Sequence, residues 1–293
     1  MKKNIGIIGL GRTGMPAAIA YLSKGYEVYG YDKRQEVLTD FKKHGGVAMS
    51  NPGEVARLSD IILVLVLKDD QVKDVFTADH GILSGIKKGS IVISMSTINR
   101  SNLEAMAELC SEKGIEIVDC PFTGGPSRIT DGSLNLIVAA SDEVLNKVTK
   151  VLEVIGRVVH VGKIPGMGQS VKHCNQLLVG VTHAATMEVI TLARKMGLDP
   201  VVVNEVIAGG IAGSDYFRLL SESVLKKKPS PGGLGQMCKD ISIVVNTVRK
   251  VNMPAYVVTA ASKYFSAAED MDMLDREGAD LIEVVESISG NDE

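Results

Sequence analysis

An excess of charge of either sign is missing from this chain: 32 Lys and Arg face 35 Asp and Glu, a formal net charge of −3. Such a surface does not displace counterions from phosphates, so a nucleic-acid partner is not expected. Cysteine is sparse, and Cys110, Cys120, Cys174 and Cys238 form no Cys-x-x-Cys pair, which fits neither a zinc site nor a disulfide framework. The four read as small apolar residues in a reducing compartment, and a cytoplasmic protein is expected. There is no repeat and no low-complexity segment. Long uninterrupted apolar runs are lacking too. The opening MKKNIGIIGLGRTG is broken by Gly6, Gly9, Gly11 and Gly14, so no secretory signal is expected. The run from Leu177 to Ala193 contains His183 and Glu188, and its uncharged part is shorter than the ~20 residues of a bilayer span. It reads as a buried helix, and no membrane partner is expected.

What is present is enough apolar material for a sizeable core: 293 residues, 45% hydrophobic and 23% charged, suit one large or two moderate domains. The first half alternates short apolar runs with helical patterns, which predicts a parallel sheet covered by helices. Candidate strands are residues 4–9, 27–32, 61–66, 90–95, 115–120 and 134–140, with 157–162 as a further edge. From Gly166 the texture turns helical, with periodic segments at 168–196, 199–208, 214–227, 234–250 and 254–269. The Gly- and Pro-rich GKIPGMG at 162–168 marks the change. The expected organisation is an α/β domain with a mostly parallel sheet over residues 1–164 and an all-helical domain over 165–293. Lys226–Lys228 reads as a solvated helix end running into a loop.

The first strand runs directly into GLGRTG, Gly9 to Gly14, a G-x-G-x-x-G match. The match alone is weak, but a helical segment follows and the next strand ends at Asp32, near the roughly 20-residue spacing of a dinucleotide-binding fold. In that reading Gly9 makes the tight turn, Gly11 lets the backbone approach the pyrophosphate, and Gly14 lets helix and strand pack closely. The whole turn, with Leu10, Arg12, Thr13 and Met15, is expected to contact the cofactor at the helix N-terminus. Asp32 would accept hydrogen bonds from the adenine ribose and repel a 2′-phosphate, which favours NAD. Lys33 and Arg34 follow it and would soften that preference by pairing with a phosphate, so NADP stays open.

Five motifs in order and spacing carry a resemblance: IIGLGRTGMP, MSTI at 95–98, DCPFTGG at 119–125, GMGQSVKHCNQ at 166–176 and Lys239-Asp240. Together they resemble the 3-hydroxyisobutyrate dehydrogenase family, also called β-hydroxyacid dehydrogenases, over nearly the whole chain. The resemblance implies a Rossmann domain, a long interdomain helix and a helical domain that oligomerises as a homodimer or homotetramer. It implies that Leu67, Lys68 and Thr97 hold the nicotinamide half of the cofactor, with Lys239 beside it. It implies that Thr123, Gly124 and Gly125 bind a substrate carboxylate, and that Lys172 is catalytic. The chain departs from the family where Thr13 replaces methionine, where Pro16-Ala17-Ala18 replaces Pro-Met-Ala, and where Thr123 replaces serine. Gln176 stands where asparagine is usual, with Asn175 beside it, a pairing similar to tartronate semialdehyde reductase-like members.

On a helix, Lys172, Asn175 and Gln176 share a face. That face is expected to look toward the cleft where the carboxyl ends of the sheet meet the second domain. Oxidising an alcohol needs a base for its hydroxyl proton, and reduction needs an acid to return it. A lysine free in water, with a pKa of ~10.4, is a poor base at neutral pH; partial burial and nearby positive charge are expected to lower it. The structural alternative is a lysine that snorkels from a helix end. His173 points about 100° away round the helix and is not expected in the site.

The expected activity is NAD-dependent interconversion of a small 3-hydroxy acid and its semialdehyde. Imine reductases share the architecture but usually lack a lysine at position 172, and non-catalytic assembly members typically lose it as well. A 6-phosphogluconate-type decarboxylase needs a longer helical domain and more phosphate-binding cations. Arg128 is left with two readings: solvated or paired with Asp131, or clamping a second acidic group of the substrate.

Overall fold

The computed structural model describes residues 2–125 and 127–290, and the chain divides into two compact units, residues 1–172 and 173–293. The first unit runs β1 (Ile5–Ile8), α1 (Gly14–Ser23), β2 (Val28–Tyr31), α2 (Gln35–Lys43), β3 (Val47–Ala48), α3 (Pro52–Leu58), β4 (Ile61–Val64), α4 (Asp69–Thr77) and α5 (Ile82–Gly85). It continues with β5 (Ile91–Ser94), α6 (Arg100–Glu112), β6 (Glu116–Asp119), β7 (Phe122–Thr123), α7 (Ser127–Thr130), β8 (Leu134–Ala139), α8 (Asp142–Leu152) and β9 (Gly156–Gly162). The strands form one sheet in the order β3-β2-β1-β4-β5-β6-β8-β7, with β9 on β8.

From β3 to β6 every pairing is parallel. Alternation along each strand sends Ile5, Ile7, Leu63, Ile93 and Val118 into one apolar layer and Ile8, Ile62, Val64, Val92 and Ile117 into the other. Both faces are therefore buried, as a helix-covered parallel sheet requires. The order reverses between β1 and β4, and the crevice at their carboxyl ends is where such sheets bind ligands.

The expected strands are all present, and all but β9 are shorter, because residues such as Gly9 and Asp32 have already left the ladder to turn. β3 and β7, two residues each, are too short to leave a periodic signal. The one departure from parallel order is β8, which runs antiparallel to β6 and β7. Pro121 separates β6 from β7, and the link from Thr123 to Leu134 is shorter than the dozen or more residues a parallel crossover needs. The α8 link meets that length, and β9 returns parallel to β8.

The helical part comprises α9 (Met167–Lys195), α10 (Pro200–Gly209), α11 (Asp215–Lys226), α12 (Leu234–Lys250), α13 (Tyr256–Asp270), a 3₁₀ turn at Gly278–Asp280 and α14 (Leu281–Ile288). The periodic segments end at residue 269, so the last two elements lie beyond what the pattern indicated. Met187, Leu220, Ile241, Val244, Phe265 and Val284 form the core of the second unit. Gly180 lets α12 approach α9 closely: a Cβ there would lie 2.0 Å from Ile241 Cδ1. By length and composition the whole of α9 is apolar enough to cross a membrane, unlike its shorter uncharged stretch, but half of its most apolar window is buried inside the protein. His183 and Thr186 are buried along it, as in a core helix.

Lys226–Lys228 is a helix end as read. Lys227 turns left-handed at φ 51°, and Lys226 and Lys228 both pair with Glu222. Cys110, Cys120 and Cys238 are buried as expected, whereas Cys174 is exposed.

Candidate active site

The glycine turn after β1 is built by three different constraints. Gly9 has φ +94°, and a Cβ on it would lie 2.6 Å from Leu65 O. At Gly14 a Cβ would lie 1.8 Å from Gly9 O, which fixes how closely α1 approaches β1. At Gly11 the nearest atom to a Cβ is Arg34 Nη2, 3.8 Å away. Among the described residues no clash therefore demands glycine there; a Cβ would make only an ordinary contact with Arg34. That open cradle fits a dinucleotide pyrophosphate approaching the backbone. α1 starts at Gly14 with Thr13 as its N-cap and no side-chain cap, so its leading turn suits an anion. Met15 N–H closes the turn onto Gly11 O at 3.1 Å, and Arg12 is exposed.

Around this turn is a cavity of about 420 Å³ lined by Ile8, Gly9, Gly11, Asp32, Arg34, Leu65, Leu67 and Gln71, among others. Asp32, 9% exposed, accepts Leu10 N–H at 2.9 Å and Arg34 Nε at 2.9 Å. Burial alone would raise its pKa, but the Arg34 guanidinium and the Leu10 and Arg34 N–H donors outweigh it and hold the carboxyl below its usual range. Leu67 belongs to the cavity wall, and Gln71 Oε1 accepts the N–H groups of both Leu67 and Lys68 at 3.0 Å.

Thr97 sits in the loop after β5, and the neighbours on either side of it are clamped by one side chain. Gln169 Nε2 donates to Ser96 O at 3.0 Å, and Gln169 Oε1 accepts Ile98 N–H at 3.0 Å. The same Nε2 reaches Asp119 Oδ1 at 3.1 Å. Asp119 Oδ2 in turn accepts Gly166 N–H at 2.9 Å and Gln169 N–H at 3.0 Å, capping the first turn of α9 from the end of β6. Burial pushes the Asp119 carboxyl up to about 6, against the donors of Gln169, Gly166 and Gly168. Neither Asp119 nor Gln169 had been singled out, although both stand inside the motifs quoted above. Their presence there was the available signal.

Thr123, Gly124 and Gly125 follow β6 on the strand-to-loop transition. Gly124 has φ +114°, and a Cβ on it would meet Arg128 Cδ at 2.8 Å, so its backbone and packing already require glycine. Arg128 is exposed with its stem over Gly124. Asp131 bonds chiefly to Ser133, and Pro126 lies outside the described residues.

Lys172 is 8% exposed. One turn further along the unbroken α9, Asn175 Nδ2 donates to Gln176 Oε1 at 2.8 Å and Gln176 Nε2 donates to Asp240 Oδ2 at 2.7 Å. Lys239 Nζ pairs with Asp240 Oδ1 at 2.8 Å. Asn175, Gln176 and Lys239 are thus brought together through Asp240, a fully buried carboxylate whose part was not foreseen. Asp240 Oδ2 takes a hydrogen bond, whereas Oδ1 has no hydrogen-bond partner and is met by the Lys239 ammonium as an ion pair. His173 is turned elsewhere, its Nδ1 3.1 Å from Thr247 Oγ1.

Two family models cover the chain. Residues 4–162 match the NAD binding domain of 6-phosphogluconate dehydrogenase, and residues 166–287 match the NAD-binding domain of NADP-dependent 3-hydroxyisobutyrate dehydrogenase. The 2-(hydroxymethyl)glutarate dehydrogenase of Eubacterium barkeri is 32% identical over 98% of this chain and 96% of its own. The L-threonate dehydrogenase of Cupriavidus necator is 32% identical over 92% of this chain and 91% of its own. Among solved structures, the 3-hydroxyisobutyrate dehydrogenase of Salmonella typhimurium superposes with a TM-score of 0.89 at 25% identity, covering 97% of this chain and 100% of its own. Imine reductases are more distant: that of Myxococcus stipitatus shares the fold at a TM-score of 0.65 and 17% identity, over 98% of this chain and 100% of its own.

Proposed function

This chain belongs to the β-hydroxyacid dehydrogenase family of NAD(P)-dependent oxidoreductases, and on that premise we propose that it interconverts a small 3-hydroxy acid and its semialdehyde or keto form, with Lys172 as the general acid/base. The observation that carries the reading is the buried Lys172, one helical turn before a hydrogen-bonded row of Asn175, Gln176 and Asp240 that Lys239 joins by an ion pair. Bound nicotinamide supplies the hydride acceptor in oxidation and the hydride donor in reduction. Lys172 Nζ takes the substrate's hydroxyl proton as the carbinol C–H bond breaks, and returns it to the carbonyl oxygen in the reverse direction. The Thr123 hydroxyl and the backbone amides of Gly124 and Gly125 hold the carboxylate. Asn175 and Gln176 orient the hydroxyl without adding charge that would stabilise the ammonium form of Lys172. Leu67, Lys68, Thr97 and Lys239 serve the nicotinamide end, and Asp32 selects NAD over NADP.

The substrate class is bracketed by relatives named for hydroxymethylglutarate and threonate: a small hydroxy acid with at least one carboxylate. The domains of this reading are the NAD(P)-binding residues 1–164 and the helical residues 165–293, in a cytoplasmic enzyme. α10 has no buried residue, and Val202 at 55%, Val206 at 71% and the adjoining Ile211 are exposed. Such an apolar face supports a homodimer or homotetramer formed through the helical domain.

The test is a panel of small hydroxy acids followed by NADH absorbance with both cofactors, using wild type and Lys172→Ala. The variant is expected to keep its NADH dissociation constant within about twofold and to lose at least ~10² in kcat, as removal of a general acid/base does. Turnover at the wild-type rate would place the base elsewhere.

A further inference from the structure

Three buried hydrogen bonds converge on one carboxamide. Gln169, fully buried in the first turn of α9, donates from Nε2 to Ser96 O at 3.0 Å and accepts Ile98 N–H on Oε1 at 3.0 Å. Ser96 C=O belongs to the peptide group before Thr97, and Ile98 N–H to the one after it. Each peptide group is a rigid plane, so holding both fixes φ and ψ of Thr97 and with them the direction of its Cα–Cβ bond. Thr97 itself is half-buried. The third bond, from Nε2 to Asp119 Oδ1 at 3.1 Å, decides which way round the carboxamide sits. Asp119 is itself held in place, because its Oδ2 takes the Gly166 and Gln169 N–H groups at 2.9 and 3.0 Å. Glycine at 168, where a Cβ would lie 2.8 Å from Asp119 Cγ, lets the carboxylate come that close. The polarity of the helix backbone is thus passed through Asp119 and Gln169 to the two peptide groups around Thr97.

We propose that Gln169 is a positioning residue, oriented by Asp119, that sets the backbone of Thr97 for contact with the nicotinamide end of the cofactor. The proposal rests on the reading of Thr97 as a nicotinamide contact. Ser96 Oγ donates to Val66 O at 2.7 Å and Asp69 Oδ1 accepts Asn99 N–H at 2.9 Å, so the loop stays anchored without Gln169. What the carboxamide adds is the orientation of its two central peptide groups. Asp119→Asn disturbs that orientation and little else. The two helix N–H groups keep the asparagine oxygen on their side, so its NH2 lands where Oδ1 was, against Gln169 Nε2. Left in place, the carboxamide then meets a donor with a donor. Turned over, it sets Oε1 against Ser96 O and Nε2 against Ile98 N–H, and the clamp on Thr97 is lost.

Isothermal titration of the full chain with NADH and with ADP-ribose reads this without turnover, because ADP-ribose carries the adenine, the riboses and the pyrophosphate but lacks the nicotinamide. Gln169→Leu and Asp119→Asn are each expected to weaken NADH about fivefold, as displacement of one hydrogen bond does, while ADP-ribose stays within about twofold of wild type. Thr97→Ala is expected to show the same selective loss. General loosening of the α/β unit would weaken both ligands alike; that result, or NADH binding unchanged in both variants, overturns the clamp. If Gln169→Leu does not fold, Asp119→Asn, which keeps the cap on α9, decides. Thr97→Ala separates the clamp from the reading beneath it. A selective loss there and none in Asp119→Asn overturns the clamp alone, whereas no loss in Thr97→Ala removes Thr97 from the nicotinamide site and the proposal with it.

Discussion

Gly11 and Gly14 stand three residues apart in one turn, yet the structure gives them separable jobs, and adding one methyl to each separates binding from stability. At Gly14 the new Cβ overlaps a backbone oxygen, Gly9 O, at 1.8 Å, so β1 and α1 must move apart. Overpacking of that kind costs about 1–3 kcal/mol or more, which lowers Tm by roughly 3–10 °C in a unit of this size. At Gly11 the Cβ meets nothing closer than 3.8 Å. Gly→Ala at an unstrained position stabilises by about 0.4–1 kcal/mol through the unfolded chain, so Tm is expected to hold or rise slightly. Binding reverses the order of interest, because the Gly11 methyl occupies the space through which a pyrophosphate approaches. A tenfold loss of affinity removes about 1.4 kcal/mol. With NADH at a hundred times the wild-type dissociation constant, ligand stabilisation drops from about 2.7 to about 1.4 kcal/mol. Differential scanning fluorimetry with and without NADH is the assay. Gly11→Ala is expected to keep its melting point while losing roughly half of the NADH-induced rise. A full wild-type rise in Gly11→Ala would refute the placement of the pyrophosphate, and an unshifted melt in Gly14→Ala would refute the close helix–strand packing.

Asp119 supplies a pH-dependent test. Its folded carboxyl is raised to about 6 from an unfolded value near 3.9, so between pH ~4 and ~6 the native state holds a proton that the unfolded chain releases. Wild-type stability therefore falls across that window, by roughly 3 kcal/mol at about 1.4 kcal/mol for each unit. Asp119→Asn lacks the titration, and denaturant unfolding at pH 4.5 and 7.5 is expected to show the wild type losing roughly 2 kcal/mol relative to the variant as pH rises; a pH-independent difference would contradict the buried ionisation. The exposed apolar face of α10 predicts a dimer or tetramer by sedimentation velocity at micromolar concentration, and Val206→Glu is expected to shift it toward monomer. A monomeric wild type would remove the oligomer from the proposal.

The sheet, the glycine turn and the five long helical segments were legible because each rests on a local rule: period-two alternation, a glycine where a Cβ cannot fit, or an apolar stripe at helical spacing. Motifs in register singled out Lys172, which the structure buries. What stayed hidden was non-local. Asp119 and Gln169 meet across 50 residues of chain, and Gln176 meets Asp240 across 64; no periodicity connects such positions. Arg34 was seen as a cation near Asp32, but nothing in the order of residues says that its guanidinium folds back onto that carboxylate rather than into solvent. β3 and β7 were missed for a different reason, since two residues cannot display a period.

The remote cap on α9 has a consequence for how the chain acquires its structure. The carboxylate that accepts Gly166 N–H and Gln169 N–H comes from Asp119, 47 and 50 positions earlier, so the leading turn of α9 cannot be secured by local helix formation. Helix nucleation is the unfavourable step and propagation the easy one. Here the turn that needs most help must wait for β6 to join the sheet. During synthesis that order arises naturally, because residue 119 leaves the ribosome before residue 169. In refolding from denaturant the apolar body of α9 is free to coil first, with its beginning frayed until β6 is in place. The segment carrying Lys172 would then be among the last parts of the helix to settle, and activity would return later than helical circular dichroism.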